Sequence, residues 1–384
     1  MSIVMGSLPE RVFQDAPTAR TLFVVDVAVR RQAAVAVTAA NGPVVIVDPE
    51  DEQDTSLDAV TAAIEAHRPE RIVGIGGGRV HDTTALARLF DAEPTLRRRV
   101  DALVADHGGI IAPAPRRGAL PRLALVPTTI GPGSETSSAA CREHGGFRSV
   151  LVGSGLRADS AILDPGLTAT LTRTSVLEGA AEAVLRLLGA RGGSPSEERA
   201  DAETAGLLTI LAQAGARVAR CAEPVDRVAR AALAHASAAS HETIRVRDAA
   251  PFAATPWYFA NELSSRTGLR KVVATVPLLP VLWRRESAPR RARRRDVWRP
   301  FATALGVDLD PLVGVVEWAR RWGFDAPAVL DTELSDAADA IERRWGGTHA
   351  ALPGLDADDA FRILRSAFAS AQDTSASIRK EVNT

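Results

Sequence analysis

Short apolar segments alternate with helix-period segments over the first 165 residues, and this alternation restricts the fold more than any other feature. The segments TLFVVD (Thr21–Asp26), PVVIVD (Pro43–Asp48) and RIVGIGGG (Arg71–Gly78) are rich in β-branched residues, and each precedes apolar residues at helical spacing. Strands that alternate with helices form βαβ units around a parallel sheet that is covered on both faces. We therefore predict a Rossmann-like α/β domain.

The pattern changes after Pro165, because nearly every later segment has helical periodicity, as in EGAAEAVLRLL and DAFRILRSAFASA. The sequence therefore predicts two domains, an α/β domain at residues 1–168 and an all-helical domain at residues 169–384.

Charge and length exclude several classes of protein. The 384 residues contain 46 Lys and Arg against 47 Asp and Glu, so no global positive field attracts nucleic acid or an anionic membrane. The chain has two cysteines, no basic segment followed by an apolar leader, and no long apolar segment, which predicts a cytoplasmic protein. Lys271 and Lys380 are the only lysines, and every other Lys or Arg position is arginine.

Two loops carry the chemistry of the predicted α/β domain. Gly76, Gly77 and Gly78 follow an apolar strand and precede a helix, where backbone N–H groups can bind a phosphate. The second loop, PTTIGPGSE, places the hydroxyls of Thr128, Thr129 and Ser134 just after another strand. Either loop taken alone is also consistent with a simple turn, and the glycine spacing does not fit G-x-G-x-x-G.

Taken together, the ordered motifs resemble those of the iron-containing alcohol dehydrogenase and dehydroquinate synthase superfamily. RIVGIGGGRVHDTTA is similar to the GGGSxxD(T/L)A segment of that superfamily, PTTIGPGSE to PTTxGTGSE, and AILDPGLTATL to AILDPELTLTLP. The resemblance implies a dehydroquinate synthase-like fold, with an NAD-binding α/β domain, a helical domain and an active site in the cleft between them.

The resemblance also implies which residues bind the cofactor. Gly76–Gly78 and Asp82 would face the pyrophosphate, and Thr128, Thr129 and Ser134 would line the cofactor nearer the nicotinamide. Asp26 stands where the family has an acidic residue near the adenosine ribose, and a carboxylate there favours NAD over NADP. The lysine that usually follows the aspartate of the glycine segment is Ala85 here.

The expected metal ligands are largely replaced. Relatives hold a divalent metal with one carboxylate and two or three histidines, and the resemblance places the carboxylate at Glu182. The remaining positions, where relatives have histidine, carry Arg186, Trp257, Asn261 and Lys271. The close pair His235 and His241 is six residues apart, which is not the spacing of two ligands on one helical face. The sequence therefore predicts that neither iron nor zinc is bound.

These replacements suggest a catalytic set for an enzyme without metal. The Lys271 ammonium would stand in for the cation that polarises the substrate oxygen, and Arg186 would lower its pKa for proton relay. Glu182 would be the counter-ion of Lys271, and Tyr258, the only tyrosine, would donate its hydroxyl. The alternative is a degenerate and inactive site in which Lys271 is an ordinary surface lysine.

The leading hypothesis for function is an NAD-dependent oxidoreductase that oxidises a secondary alcohol or reduces its ketone. A narrower resemblance, to the daptide-type dehydrogenases, implies oxidation of a peptide C-terminal threonine followed by loss of CO2. The alternatives are a dehydroquinate synthase-like sugar-phosphate cyclase and a non-catalytic nucleotide-binding partner protein. The expected partners are a small-molecule or peptide alcohol and a second copy of the chain; neither nucleic acid nor membrane is expected. The arginine-rich segment Arg284–Arg299 is consistent with a solvated loop or helix face, and alternatively with a docking patch for an acidic peptide or a phosphate.

Overall fold

A computed structural model of the chain describes residues 1–8, 20–106, 109–112, 119–244, 253–324, 327–349 and 351–381. These residues divide into two compact units. The first unit contains residues 1–180 and 221–242, and the second contains residues 181–220 and 243–384.

The first unit is built around a six-stranded parallel sheet with the strand order β1-β9-β6-β4-β2-β3. Every residue of β2 and β4 is buried, which explains why these strands appear in the sequence as continuous apolar segments. The strands of this sheet are β1 (Ser2–Met5), β2 (Thr21–Asp26), β3 (Val44–Val47), β4 (Arg71–Gly76), β6 (Arg122–Pro127) and β9 (Ser160–Leu163).

Helices and a small second sheet complete the first unit. The small sheet has the order β5-β8-β7. Its strands are β5 (Gly109–Ile111), β7 (Ala139–His144) and β8 (Phe147–Val152). The helices are α1 (Arg30–Ala40), α2 (Gln53–His67), α3 (Gly78–Ala92), α4 (Pro94–Asp106), α7 (Arg227–Ile244) and the N-terminal half of α5 (Arg173–Gly192).

The second unit is helical throughout its described residues. Its core includes the buried aromatic residues Trp298, Phe301 and Trp318, whose rings lie 5.2–6.4 Å apart. Its remaining helices are α6 (Glu198–Arg220), α8 (Thr255–Thr267), α9 (Lys271–Thr275), α10 (Leu278–Arg284), α11 (Ala288–Leu305), α12 (Pro311–Trp322), α13 (Asp331–Trp345) and α14 (Ala357–Glu381).

The predicted fold class is confirmed, since a parallel-sheet α/β region is followed by a helical region. The boundaries of the two compact units do not coincide with the point at which the secondary structure changes from mixed α/β to helical. The first unit extends to residue 180 and includes α7, because α7 hydrogen-bonds the loop after β6. No described helix has both the length and the apolar character needed to span a membrane.

Candidate functional site

The glycine loop joins β4 to α3, and its three glycines have different neighbours. A Cβ atom on Gly76 would lie 2.7 Å from the Val80 side chain, so the strand and helix can pack this closely only with glycine there. A Cβ atom on Gly77 would meet only Thr129, at 3.4 Å, which leaves open space beside this backbone. Gly77 is the N-cap of α3 and supplies no side chain to the first turn. The amides of that turn can therefore bind an anion.

The hydroxyl loop, residues 128–134, lies directly against the glycine loop. The Thr128 amide donates to the Gly76 carbonyl at 3.0 Å. A Cβ atom on Gly78 would lie 3.1 Å from the Pro132 side chain and 3.3 Å from the Ser134 hydroxyl. The structure thus brings together the two loops that the sequence predicts as cofactor-binding, although they are about fifty residues apart in the chain.

Helices α5 and α7 hold the hydroxyl loop in place. Gly131 has a φ of +116°, and a Cβ atom there would lie 2.5 Å from the Gly179 Cα atom of α5. Its amide donates to the Ser237 hydroxyl of α7 at 3.2 Å, and the Thr136 hydroxyl donates to the Ala238 carbonyl at 2.9 Å. Only glycine fits at residue 131, and the loop depends on both helices for its conformation.

The two acidic residues predicted to contact the cofactor are both buried. Asp26 ends β2, and its carboxylate accepts the Ala28 amide at 2.9 Å. Asp82 lies in the second turn of α3, where its carboxyl accepts the Cys141 amide of β7 at 3.0 Å. Burial raises the pKa of Asp82 to about 6. The role of either residue toward a dinucleotide stays a prediction.

His81, the neighbour of Asp82, is fully buried. Burial lowers the pKa of His81 to about 4. The pKa values of the two neighbouring side chains are therefore shifted in opposite directions. The His81 imidazole is neutral at neutral pH, and the Asp82 carboxyl takes up a proton near pH 6.

These shifts predict opposite effects on stability. The pKa of Asp82 is raised on folding, so its contribution to stability is complete below about pH 4 and is lost as the pH rises through about 6. The pKa of His81 is lowered on folding, so its contribution is complete above about pH 6.5 and is lost as the pH falls toward about 4. Each of these two contributions to the free energy of unfolding amounts to about 3 kcal/mol.

Asp82→Asn keeps an acceptor for the Cys141 amide and removes one of the two effects. The quantity to measure, by urea unfolding, is the free energy of unfolding of Asp82→Asn minus that of the unsubstituted protein. We expect this difference to increase by about 3 kcal/mol from about pH 4 to about pH 7. A stability difference that does not change with pH would contradict this assignment of the Asp82 pKa.

Two residues predicted to take part in catalysis, Tyr258 and Lys271, lie in the second unit at a group of aromatic rings. This aromatic cluster consists of Trp257, Tyr258, Trp345 and His349, with neighbouring ring centroids 4.9–5.9 Å apart. The Nζ atom of Lys271, the first residue of α9, lies 4.9 Å from the centroid of the Trp257 indole. The negative face of the ring attracts the ammonium. Burial raises the pKa of Tyr258 to about 12, so its hydroxyl remains a donor at neutral pH.

The other predicted positions of the metal site have ordinary organic partners. The Asn261 side chain is buried and donates to the Glu262 carboxylate at 3.1 Å. Glu262 is buried too, and it accepts the Trp345 indole N–H at 2.8 Å and pairs with Arg344 at 3.4 Å. These bonds make Glu262 a structural tie between α8 and α13. Glu182 and Arg186 lie one turn apart on α5, and both are partly exposed.

The residues at these positions do not fit an iron or zinc ion. Glu182 offers a carboxylate, but the Arg186 guanidinium, the Trp257 indole and the Lys271 ammonium have no lone pair to give to a metal. Elsewhere, ligand atoms of Asp54, Asp101 and His144 in the first unit lie within 4.8 Å of one another. The buried Arg142 guanidinium already pairs with both of these aspartates, at 2.5 Å and 2.7 Å. That group is an ion-pair network that links α2, α4 and β7.

The arginine-rich segment Arg284–Arg299 is partly structural. Arg294 is buried, where it pairs with Glu286 at 2.8 Å and donates to the Leu188 carbonyl at 2.6 Å. Arg293 pairs with Asp201. Among the segment's arginines, Arg284, Arg285, Arg290, Arg295 and Arg299 are exposed.

Two features escaped the sequence prediction. Arg79, in the first turn of α3, stands where the resembled segment GGGSxxD has serine. Comparison with that motif could therefore have singled it out. Trp345 and His349 join the aromatic cluster from more than seventy residues beyond Lys271, and no spacing pattern indicated them. His107, one of the seven histidines, lies outside the described residues.

Comparison with known proteins supports the fold and the cofactor loops described above. Residues 8–165 match the family described as iron-containing alcohol dehydrogenase. An alcohol dehydrogenase of Thermococcus barophilus is 28% identical over 117 residues, which span only 30% of that protein and 30% of this chain. The solved structure of an iron-containing alcohol dehydrogenase from Thermococcus thioreducens has a TM-score of 0.73 at 19% identity and covers 96% of this chain and 98% of its own. The NADH-dependent butanol dehydrogenase A of Thermotoga maritima has a TM-score of 0.74 at 17% identity, with 96% of both chains covered.

The family match confirms the predicted resemblance over residues 8–165. The first part of the chain carries the sequence pattern of the iron-containing alcohol dehydrogenases, and the chain as a whole has their fold. The names of these relatives describe them as dehydrogenases.

Proposed function

We propose that this protein is an NAD-dependent oxidoreductase that interconverts a secondary alcohol and its ketone without a metal ion. The observation that carries the proposal is the contact between the hydroxyl loop and the uncapped first turn of α3. Backbone amides, open space at Gly77 and the partly exposed residues Thr129 and Ser134, which carry hydroxyls, fit a dinucleotide with its phosphates at the helix N-terminus. The family match of residues 8–165 supports the same function.

The second unit supplies the groups that act on the substrate oxygen. When bound, the nicotinamide ring exchanges a hydride with the carbinol carbon. The Lys271 ammonium, held at the face of Trp257, donates to the substrate oxygen and stabilises the negative charge that develops there. The Tyr258 hydroxyl is protonated and provides a second donor. Glu182 is proposed as the counter-ion that orients the ammonium.

The first test measures binding and turnover in turn. NADH fluorescence is expected to change on mixing with the protein, and a panel of secondary alcohols is expected to include one that produces reduced nicotinamide absorbance with NAD+. A protein that binds NADH but turns over no alcohol would support the non-catalytic alternative. A protein that binds no dinucleotide would contradict the proposal.

Removal of metal provides a separate prediction. Because the guanidinium, indole and ammonium groups give a metal no lone pair, we expect less than about one-tenth of an equivalent of iron or zinc in the purified protein. Incubation with a chelator is expected to leave kcat unchanged. The measurements are elemental analysis and turnover before and after chelation. A stoichiometric metal whose removal abolishes turnover would show that the proposed role of Lys271 is wrong.

A narrower form of the proposal concerns the substrate. The resemblance to daptide-type dehydrogenases suggests a peptide with a C-terminal threonine, whose β-hydroxyl is a secondary alcohol. Oxidation gives a β-keto acid that loses CO2, and the exposed arginines of Arg284–Arg299 would attract an acidic segment of the peptide. Incubation with NAD+ is expected to remove two hydrogens and CO2 from such a peptide, as read by mass spectrometry. An unchanged mass would count against this substrate.

A further inference from the structure

An arginine side chain is fixed at the first turn of α3, two residues after Gly77. Arg79 is the second residue of this helix, and one-third of its side chain is exposed (33%). Its guanidinium donates from Nη1 to the Glu143 carboxylate at 2.7 Å and from Nη2 to the Asp51 carbonyl at 2.8 Å. These two bonds hold the cation between the N-terminal ends of α2 and α3.

The ion pair of Arg79 can open or be shared at small cost. Both partners are about one-third exposed, and exposed ion pairs contribute little to stability. Glu143 also faces the Arg148 guanidinium at 3.5 Å, so it keeps a cationic partner if Arg79 turns to a ligand. A guanidinium has five N–H donors, and the two bonds described use two of them.

Position 79 is also where this chain has gained a cation relative to the segment it resembles. That segment has serine before xxD, and its following lysine is replaced here by Ala85, which is buried on α3. The chain therefore lacks the lysine of the helix but has an arginine at its N-terminal end. A guanidinium can bind a phosphate through two parallel hydrogen bonds, which an ammonium cannot.

We propose that Arg79 binds the diphosphate of the dinucleotide together with the first-turn amides of α3, and that Glu143 competes with the diphosphate for it. This inference rests on the proposed NAD-dependent function. It assigns Arg79 to the diphosphate, which NAD+, NADP+ and ADP share, and not to the 2′-phosphate that only NADP+ carries.

The test compares dissociation constants of the full-length protein and its variants for NAD+, NADP+, ADP and adenosine by calorimetry. Arg79→Ser is expected to weaken NAD+, NADP+ and ADP alike, by about 10-fold to 100-fold, and to leave adenosine unchanged. Arg79→Lys is expected to lose less, because it keeps the charge. Glu143→Gln is expected to tighten ADP about threefold, and this gain is expected to vanish in the double variant with Arg79→Ser.

Arg98→Ser removes an exposed arginine of α4 and is the matched control, with no change expected for any ligand. A weakening confined to NADP+ would overturn the assignment to the diphosphate, and so would equal ADP affinity in Arg79→Ser and the unsubstituted protein. Failure of the unsubstituted protein to bind any dinucleotide would overturn the proposed function and this inference with it. Thermal melting of each variant verifies that it is folded.

Discussion

Lys271→Ala is expected to lower kcat by about 100-fold to 1,000-fold while the dissociation constant for NAD+ changes less than about twofold. The ammonium is the charged donor that we assign to the developing alkoxide, so its loss removes stabilisation that exists mainly in the transition state. The NAD+ affinity is expected to persist because the proposed dinucleotide residues belong to the first unit, whereas Lys271 belongs to the second.

The chain offers a matched control for this substitution in its only other lysine. Lys380→Ala removes the same side chain near the C-terminal end and is expected to leave kcat and NAD+ binding unchanged. Lys271→Arg keeps a cation but alters its shape, and it is expected to retain part of the activity. Equal kcat in Lys271→Ala and the unsubstituted protein would show that Lys271 takes no part in the reaction.

Gly179→Ala is expected to destabilise the protein by about 3 kcal/mol or more. A Cβ atom on Gly179 would lie 2.1 Å from the Ile130 carbonyl oxygen, a contact that requires a backbone shift in α5 or in the hydroxyl loop. Since the loop beyond Ile130 is proposed to contact the cofactor, any folded Gly179→Ala protein is expected to bind NAD+ more weakly as well.

Gly206→Ala is the control for this substitution. Gly206 also lies inside a helix, α6, but a Cβ atom there would have no neighbour within 4 Å. Alanine is a better helix former than glycine, so this variant is expected to gain about 1 kcal/mol. The measurement is the free energy of unfolding in urea. Similar values for the two variants would show that the close approach of α5 to the hydroxyl loop does not constrain the protein.

Much of the first unit could be predicted because its signals are local. The apolar segments at β2 and β4 lie in a parallel sheet that is buried on both faces. Successive residues therefore favour apolar side chains without alternation, and the strand is recognisable from the segment itself. The glycines of residues 76–78 stand out because packing against Val80 excludes a Cβ atom at Gly76, and a Cβ atom on Gly78 would lie in tight contact with the Pro132 side chain. A short sequence segment is sufficient to indicate such features.

Other features depend on contacts between distant segments. Trp345 and His349 complete the aromatic cluster from a helix and loop far along the chain, and their residue types alone do not distinguish them from core residues. Likewise, α7 belongs to the first unit because Ser237 reaches Gly131, more than one hundred residues earlier. Periodicity predicts that α7 is a helix but does not indicate which unit it joins.

The most direct test of the central claim is the turnover of one chelator-treated preparation, with its metal content measured in the same sample. We expect NAD+ reduction with a secondary alcohol at the rate of the untreated protein, less than about one-tenth of an equivalent of iron or zinc, and loss of turnover in Lys271→Ala prepared in parallel. Activity that disappears on chelation and returns when iron or zinc is added would contradict the account.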